Sequence, residues 1–240
     1  MAERCLLVVF AHPDDETFRS GGTLALLVRS GVRVHLLTAT RGEAGSYGDP
    51  PLCAPEELAV RREVELRCAC AALGLEPPRF LGYADGHLAD ADAEALIVQI
   101  LTAIGETGAQ TLLSFGPEGL SGHPDHIGIG HCAAEAYRRD EDVAALYTVA
   151  VPVSLADALD LRQLQAVPDA DIALAVDVSA VWALKMAAIR CHVTQMAASP
   201  MLQAPVDRQR RFFGTEHFVR AAVREGRDDF IPDALKGYLL

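Results

Sequence analysis

The sequence predicts an α/β domain of the open kind, a mostly parallel sheet with helices on both faces. Three observations carry this. Strand-like and helix-like segments alternate between residues 5 and 195. Half of the 240 residues are hydrophobic but only 6% are aromatic, so Ala, Val, Leu and Ile must fill the core, as when helices pack closely on a sheet. No linker, repeat or low-complexity stretch divides the chain, so residues 1–240 read as one domain.

The elements follow in order. The apolar run 5–11 reads as a buried strand, and 20–30 as a helix stopped at Gly31. Residues 33–40 form a second strand through Val34, Leu36 and Leu37, and 41–55 a long polar loop rich in Gly and Pro. Such loops in compact domains are functional or mobile. The segment 56–73 is a helix with Leu58, Leu66, Ala69 and Leu73 on one face, ended by Gly74. A short strand at 79–81 leads into the loop 82–90, a helix at 93–104 and a strand at 111–115. After the loop 116–122 come a helix at 126–139, a strand at 144–151, a helix at 154–164, a strand at 172–178 and a last long helix at 181–195. Alternation of this kind gives right-handed crossovers and a single Rossmann-like domain. Its strand-end loops open on one edge, where the His, Asp, Arg and Gly residues concentrate and where such sheets bind ligands.

A net charge of −12 argues against nucleic acid and against anionic membranes as partners. The six cysteines form no CxxC pair and read as free thiols of a reducing compartment; Cys68 and Cys70 are too close together to bridge comfortably. The apolar run after Met1-Ala2-Glu3-Arg4 is too short for a signal peptide or membrane helix, so the expectation is a soluble, cytoplasmic protein. Quaternary state stays open between monomer and homo-oligomer.

Chemistry concentrates in two motifs. Ala11-His12-Pro13-Asp14-Asp15-Glu16 ends the first strand, and His123-Pro124-Asp125-His126 follows the fourth strand-end loop. Each uses proline to hold polar groups at a strand-to-helix turn. Together they offer three histidines and three aspartates at two strand ends. A catalytic zinc wants three protein ligands and an open position for water. Two histidines and one carboxylate satisfy it and leave an acid/base set.

These motifs, with Thr40-Arg41-Gly42-Glu43, Arg62-Glu63-Val64-Glu65, Ala71-Ala72-Leu73-Gly74 and Leu81-Gly82-Tyr83-Ala84-Asp85-Gly86, resemble the PIG-L/LmbE-type zinc-dependent de-N-acetylases. A weaker echo lies at Trp182, Lys185 and 192–195. The resemblance implies His12, Asp15 and His126 as ligands of one Zn2+ and Asp14 as general base. It also implies His123 as donor to the oxyanion, with Asp125 orienting an imidazole. It implies a small-molecule glycoconjugate substrate, an N-acetylated amino sugar or its conjugate, with mycothiol- or bacillithiol-type conjugate amidases as the alternative within the same fold. Some thiol-sugar deacetylases carry a tyrosine two residues before the first histidine of the second motif; Ser121 stands there, which weakens assignment to the mycothiol branch.

Three further candidates have alternative readings. Arg41 reaches a substrate hydroxyl or forms a salt bridge holding its loop. Asp85 accepts a sugar hydroxyl or makes a turn with Gly86. His192 borders the site or ends a helix. Glu16 reads as a helix cap, and His35, His131 and His217 as ordinary packing or surface residues. A phosphate-receiver domain also places two acids after its first strand, but it would need a lysine, and this chain has none before Lys185. The pair Gly21-Gly22 lacks nucleotide-loop spacing. A sugar-binding homologue that has lost catalysis is disfavoured by the full ligand set and Asp14.

Overall fold

The computed structural model describes residues 3–240. Seven strands make one sheet: β1 Cys5–Phe10, β2 Arg33–Thr38, β3 Arg79–Phe80, β4 Thr111–Phe115, β5 Ala145–Ala150, β6 Leu174–Asp177 and β7 Thr215–Val223. Their order is β3-β2-β1-β4-β5-β7-β6. The first five in that order are parallel, and β7 lies antiparallel between β5 and β6. β1, β4 and β5 are buried along their whole length, which explains their near-continuous apolar sequences.

Helices cover both faces: α1 Asp15–Phe18, α2 Gly21–Arg29, α3 Leu58–Leu73, α4 Ala93–Thr107, α5 Gly119–Gly122, α6 Pro124–Arg139, α7 Val153–Leu159, α8 Trp182–Cys191, α9 Val193–Met196, α10 Pro200–Gln203, α11 Val206–Phe213 and α12 Ile231–Ala234. Local signals set their ends. Asp92 caps α4 by accepting from the Glu94 and Ala95 amides, and left-handed Gly74 closes α3. Pro124 starts α6 at a position where its missing N–H costs nothing.

The chain leaves β1 towards β2 on one side, and β4 joins β1 on the other, so the strand order reverses between β1 and β4. A crevice forms at the carboxyl ends of strands at such a point. Helix α6 presses onto the end of β4 because Gly130 lacks a side chain; a Cβ there would stand 2.6 Å from the Phe115 carbonyl oxygen. That approach brings residues 123–126 to the end of β1.

Three expectations need correction. The helix expected at 181–195 breaks at His192 into α8 and α9, and the one expected at 154–164 stops at Leu159. The tail beyond residue 195 holds α10, α11, β7 and α12. The cysteines are not all free. Cys68 of α3 is bridged to Cys191 of α8, whereas Cys5, Cys53, Cys70 and Cys132 are thiols. Cys68→Ser should destabilise the fold by about 2–4 kcal/mol in urea under oxidising conditions, because the bridge closes a long loop of the unfolded chain. An unchanged midpoint would mean that the bridge does not persist in solution.

Among the described residues no helix is long and apolar enough to cross a membrane. Beneath the sheet end, Glu216 of β7 accepts from the Gly22 and Thr23 amides and pairs with buried Lys185 at 2.6 Å. Its neighbour His217 lies 3.4 Å from Arg19 through Nδ1, and burial together with the Arg19 charge pushes its pKa down from 6.5 to about 4. Below its ordinary pKa the unfolded chain takes up a proton that the folded ring refuses. His217 therefore contributes stability that is complete above about pH 6.5 and lost as pH falls through about 4. Discounted for a half-buried ring, this is about 1–2 kcal/mol. His217→Gln should show a smaller drop in urea midpoint between pH 7 and pH 4.5 than the unsubstituted protein.

Candidate metal centre and active site

His12 is the hub of the crevice. Its Nε2 lies 2.9 Å from Asp85 Oδ1 and 3.1 Å from Asp125 Oδ2, so the ring donates on that side. Its Nδ1 lies 3.2 Å from His126 Nε2. His126 donates through its own Nδ1 to the Gly119 carbonyl at 3.0 Å, and its ring stacks on Phe115 with centroids 4.0 Å apart. When both rings are neutral, as metal binding requires, these two facing nitrogens carry the lone pairs. Asp15 completes the set, Oδ1 at 3.3 Å from His126 Nε2 and Oδ2 at 3.8 Å from His12 Nδ1.

The two nitrogens could hold a cation together with one Asp15 oxygen, although Oδ2 also accepts from the His12 amide at 2.8 Å. Ligand atoms bound tetrahedrally at about 2.1 Å stand about 3.4 Å apart, close to these separations. The outer hydrogen bonds from His12 to carboxylates and from His126 to a carbonyl are those that orient metal-binding imidazoles. Nitrogens of His12, His123 and His126 lie within 4.8 Å of one another, and so do donor atoms of His12, Asp85 and Asp125. Burial would lower the His12 pKa, but Asp85, Asp15 and Asp125 hold it up to about 9, a measure of the negative field converging there. Burial likewise opposes ionisation of Asp15, yet the His126 and His12 rings pull it down to about 2.

Asp14 stands apart from this set. Its backbone is left-handed, with φ 105° and ψ −24°, a conformation non-glycine residues adopt only where their surroundings impose it. Glu16 Oε2 accepts its amide at 3.0 Å, and Arg62 donates to the Pro13 carbonyl and, at 3.2 Å, to Asp14 Oδ2. Burial pushes the Asp14 carboxyl up to about 6 despite the opposing Arg62 charge, with Asp15 adding to the rise. A carboxylate held near neutrality matches what a general base requires.

His123 shares the pocket of about 280 Å³ with His12, Asp14, Asp15, His126 and Arg62. Its Nδ1 accepts from the Asp125 amide at 3.1 Å, which leaves the proton of the neutral ring on Nε2. Burial and the neighbouring His12 and His126 charges lower its pKa.

The structure places four of the sequence candidates as follows. Asp125 is fully buried, accepting from the amides of Gly86 and Leu88 and from His12, so the imidazole it orients is His12 and it has no face for substrate. His192 is 1% exposed and spends Nε2 on Glu16 Oε1 at 2.7 Å, so it sits behind the site and cannot line it. Arg41 is half exposed, lies 3.5 Å from Glu63 and borders a neighbouring cleft, the loop-holding alternative. Asp85 does line the pocket, but its oxygens are engaged by His12 and by the Ala44 amide at 2.9 Å.

Arg62 was not singled out from sequence. Buried on α3, it also donates to the Gly42 carbonyl at 2.8 Å, and Gly42 has φ +69° with the guanidinium packed where a Cβ would stand. Gln195 clasps the same loop by donating to the Ser46 carbonyl at 2.6 Å.

The sequence profile of the GlcNAc-PI de-N-acetylase family, PIG-L, matches residues 7–137. The chain is 32% identical to a 1D-myo-inositol 2-acetamido-2-deoxy-alpha-D-glucopyranoside deacetylase of Rhodococcus jostii (strain RHA1), over 95% of each chain. Among solved structures it resembles N,N'-diacetylchitobiose deacetylase from Pyrococcus horikoshii, with TM-score 0.69 and 19% identity over 90% of this chain and 83% of that one. It also resembles a 4-carboxy-2-hydroxymuconate hydratase from Pseudomonas putida KT2440, with TM-score 0.66 and 22% identity over 94% and 99%. The fold thus serves a hydratase as well as deacetylases, and fold alone does not choose the reaction.

Proposed function

This chain belongs to the PIG-L family of GlcNAc-PI de-N-acetylases, and on that premise we propose that it hydrolyses the N-acetyl group of a small amino-sugar glycoconjugate. The observation that carries the reading is the pairing of a three-donor cation site, His12, Asp15 and His126, with a separate carboxylate, Asp14, held near neutrality. Zinc is the ion this N,N,O donor set suits, with His12 through Nδ1, His126 through Nε2 and Asp15 through a carboxylate oxygen. When bound it supplies Lewis acidity to the acetamide carbonyl and lowers the pKa of water to about 7.

The chain's own groups do the rest. Asp14 takes the proton of the attacking water, its carboxylate aimed by Arg62 and by its fixed backbone. His123 donates from Nε2 to the carbonyl oxygen as negative charge develops there, and its neutral state suits a hydrogen-bond donor. The proton held by Asp14 then passes to the departing sugar amine. Asp125 and Asp85 hold the His12 ring in the tautomer that keeps Nδ1 free.

Acetate release from N-acetylglucosaminyl glycosides, the inositol glycoside among them, is expected from zinc-loaded protein and should vanish with a chelator. Zinc-loaded protein that releases no acetate from any N-acetylated amino sugar would overturn the reading.

A further inference from the structure

Two buried polar side chains behind Asp14 take no part in the chemistry set out above. Glu16 of α1 is 0% exposed and His192, at the break between α8 and α9, 1%. Buried groups of this kind are tolerated when their hydrogen bonds are made. The Glu16 carboxylate makes one with each oxygen: Oε2 accepts from the Asp14 amide at 3.0 Å, and Oε1 accepts from His192 Nε2 at 2.7 Å. His192 Nδ1 has no partner among the described residues, so Glu16 is the group at which the ring is directed.

The pair meets Asp14 where the chain is most constrained. At φ 105° the Asp14 backbone is in a region that favours glycine, so its neighbours must hold it there. Thr17 donates to the Asp14 carbonyl from its amide at 3.0 Å and from its hydroxyl at 2.9 Å. Arg62 holds the Pro13 carbonyl and the Asp14 carboxylate. Glu16 holds the remaining group, the amide. A glutamate reaching back two residues along its own chain has several rotamers open to it, and a partner 176 residues away selects one. That partner is itself anchored. Thr194 donates to Glu65 of α3 from its amide at 3.1 Å and its hydroxyl at 2.7 Å, and Cys191 is bridged to Cys68 of the same helix. Helix α3 thus supports Asp14 twice, directly through Arg62 and at one remove through His192.

We propose that Glu16 and His192 are positioning residues for the base: His192 fixes the Glu16 carboxylate, and Glu16 fixes the Asp14 amide, so that the Asp14 carboxylate stays aimed at the attacking water. The inference rests on the reading of Asp14 as the base of a de-N-acetylase. Both side chains are too deep to touch substrate. What they supply is geometry, and a reacting group must be held within about 0.5 Å of its productive position.

The test uses zinc-loaded protein with the methyl and inositol glycosides of N-acetylglucosamine. Glu16→Ala should lower kcat by about 10²-fold, the cost of a misplaced group, with KM and zinc content unchanged. His192→Leu should lower it by about ten-fold, because Glu16 remains but is free to turn. Glu16→Gln should recover most of the loss: its carboxamide oxygen still takes the Asp14 amide, and its NH2 meets His192 in the other tautomer. In an Asp14→Asn background, Glu16→Ala should cost nothing further, since the group it aims no longer acts. A purely structural role would subtract equally in both backgrounds, and that result would overturn the proposal. So would Glu16→Gln as impaired as Glu16→Ala, which would assign the effect to charge, or loss of zinc from Glu16→Ala, which would assign it to the metal site. Hydrogen exchange gives a readout apart from activity. The Asp14 amide should exchange at least about ten-fold faster in His192→Leu while the β1 amides keep their rates. If neither glycoside releases acetate, the de-N-acetylase reading fails and exchange alone decides the positioning: faster Asp14 exchange supports it, and equal rates overturn it.

Discussion

Asp14→Asn should lower kcat for acetate release by about 10²–10⁴-fold while the protein still binds zinc. The amide is close in shape to the carboxylate and keeps an oxygen for the Arg62 hydrogen bond, so the left-handed turn at φ 105° is retained. What it loses is the capacity to take a proton. Because His12, Asp15 and His126 converge without Asp14, metal content should be unchanged. Metal analysis beside steady-state kinetics separates the two effects. A kcat within a few-fold of the unsubstituted protein would remove Asp14 from the role of base, and loss of zinc would recast it as a ligand.

The second large effect concerns the donor set itself. His126→Ala should remove stoichiometric zinc and lower activity by at least about 10³-fold, since the Lewis acid supplies several kcal/mol of charge stabilisation. Chelation should do the same to the unsubstituted protein, and added zinc should restore that protein but not the variant. The loss is expected to come from the missing donor: the His126 ring faces His12 and Asp15 and is otherwise held by Phe115 and the Gly119 carbonyl. Full activity and metal content in His126→Ala would overturn the ligand set.

Much of this arrangement is legible in the sequence alone. The uninterrupted apolar runs of β1 and β4 declare central parallel strands, and a parallel sheet brings the groups that end them to one edge. The pairing of 12–15 with 123–126 follows from that geometry. Partner choice inside the cluster was not legible. Whether Asp125 faces His12 or His123 is decided at the α6 start, where the Gly86 and Leu88 amides capture its oxygens. His192 ends α8, one of the two readings the sequence left open, and its ring turns inward to Glu16.

The pattern of α3 marks Arg62 as well. Leu58, Leu66, Ala69 and Leu73 mark the buried face of α3, and Arg62 falls four residues from both Leu58 and Leu66 on that same face. A charge on an otherwise apolar stripe must find buried partners. Here they are the carbonyls of Pro13 and Gly42 and the carboxylate of Asp14. β7 gave no such sign. Its outer half is partly exposed and its sequence mixes charge with small residues, so only pairing with β5 and β6 defines it as a strand.

That placement has a consequence for the order of assembly. β7 is made last among the described strands yet sits inside the sheet, and among the described residues β6 pairs with no other strand. During synthesis β5 therefore presents an open hydrogen-bonding edge until residues 215–223 leave the ribosome. An unpaired edge of that kind invites pairing with other nascent chains. Ribosome-bound fragments ending before residue 215 should be protease-sensitive and chaperone-dependent, and the released full chain should become resistant only once the final strand has slotted in.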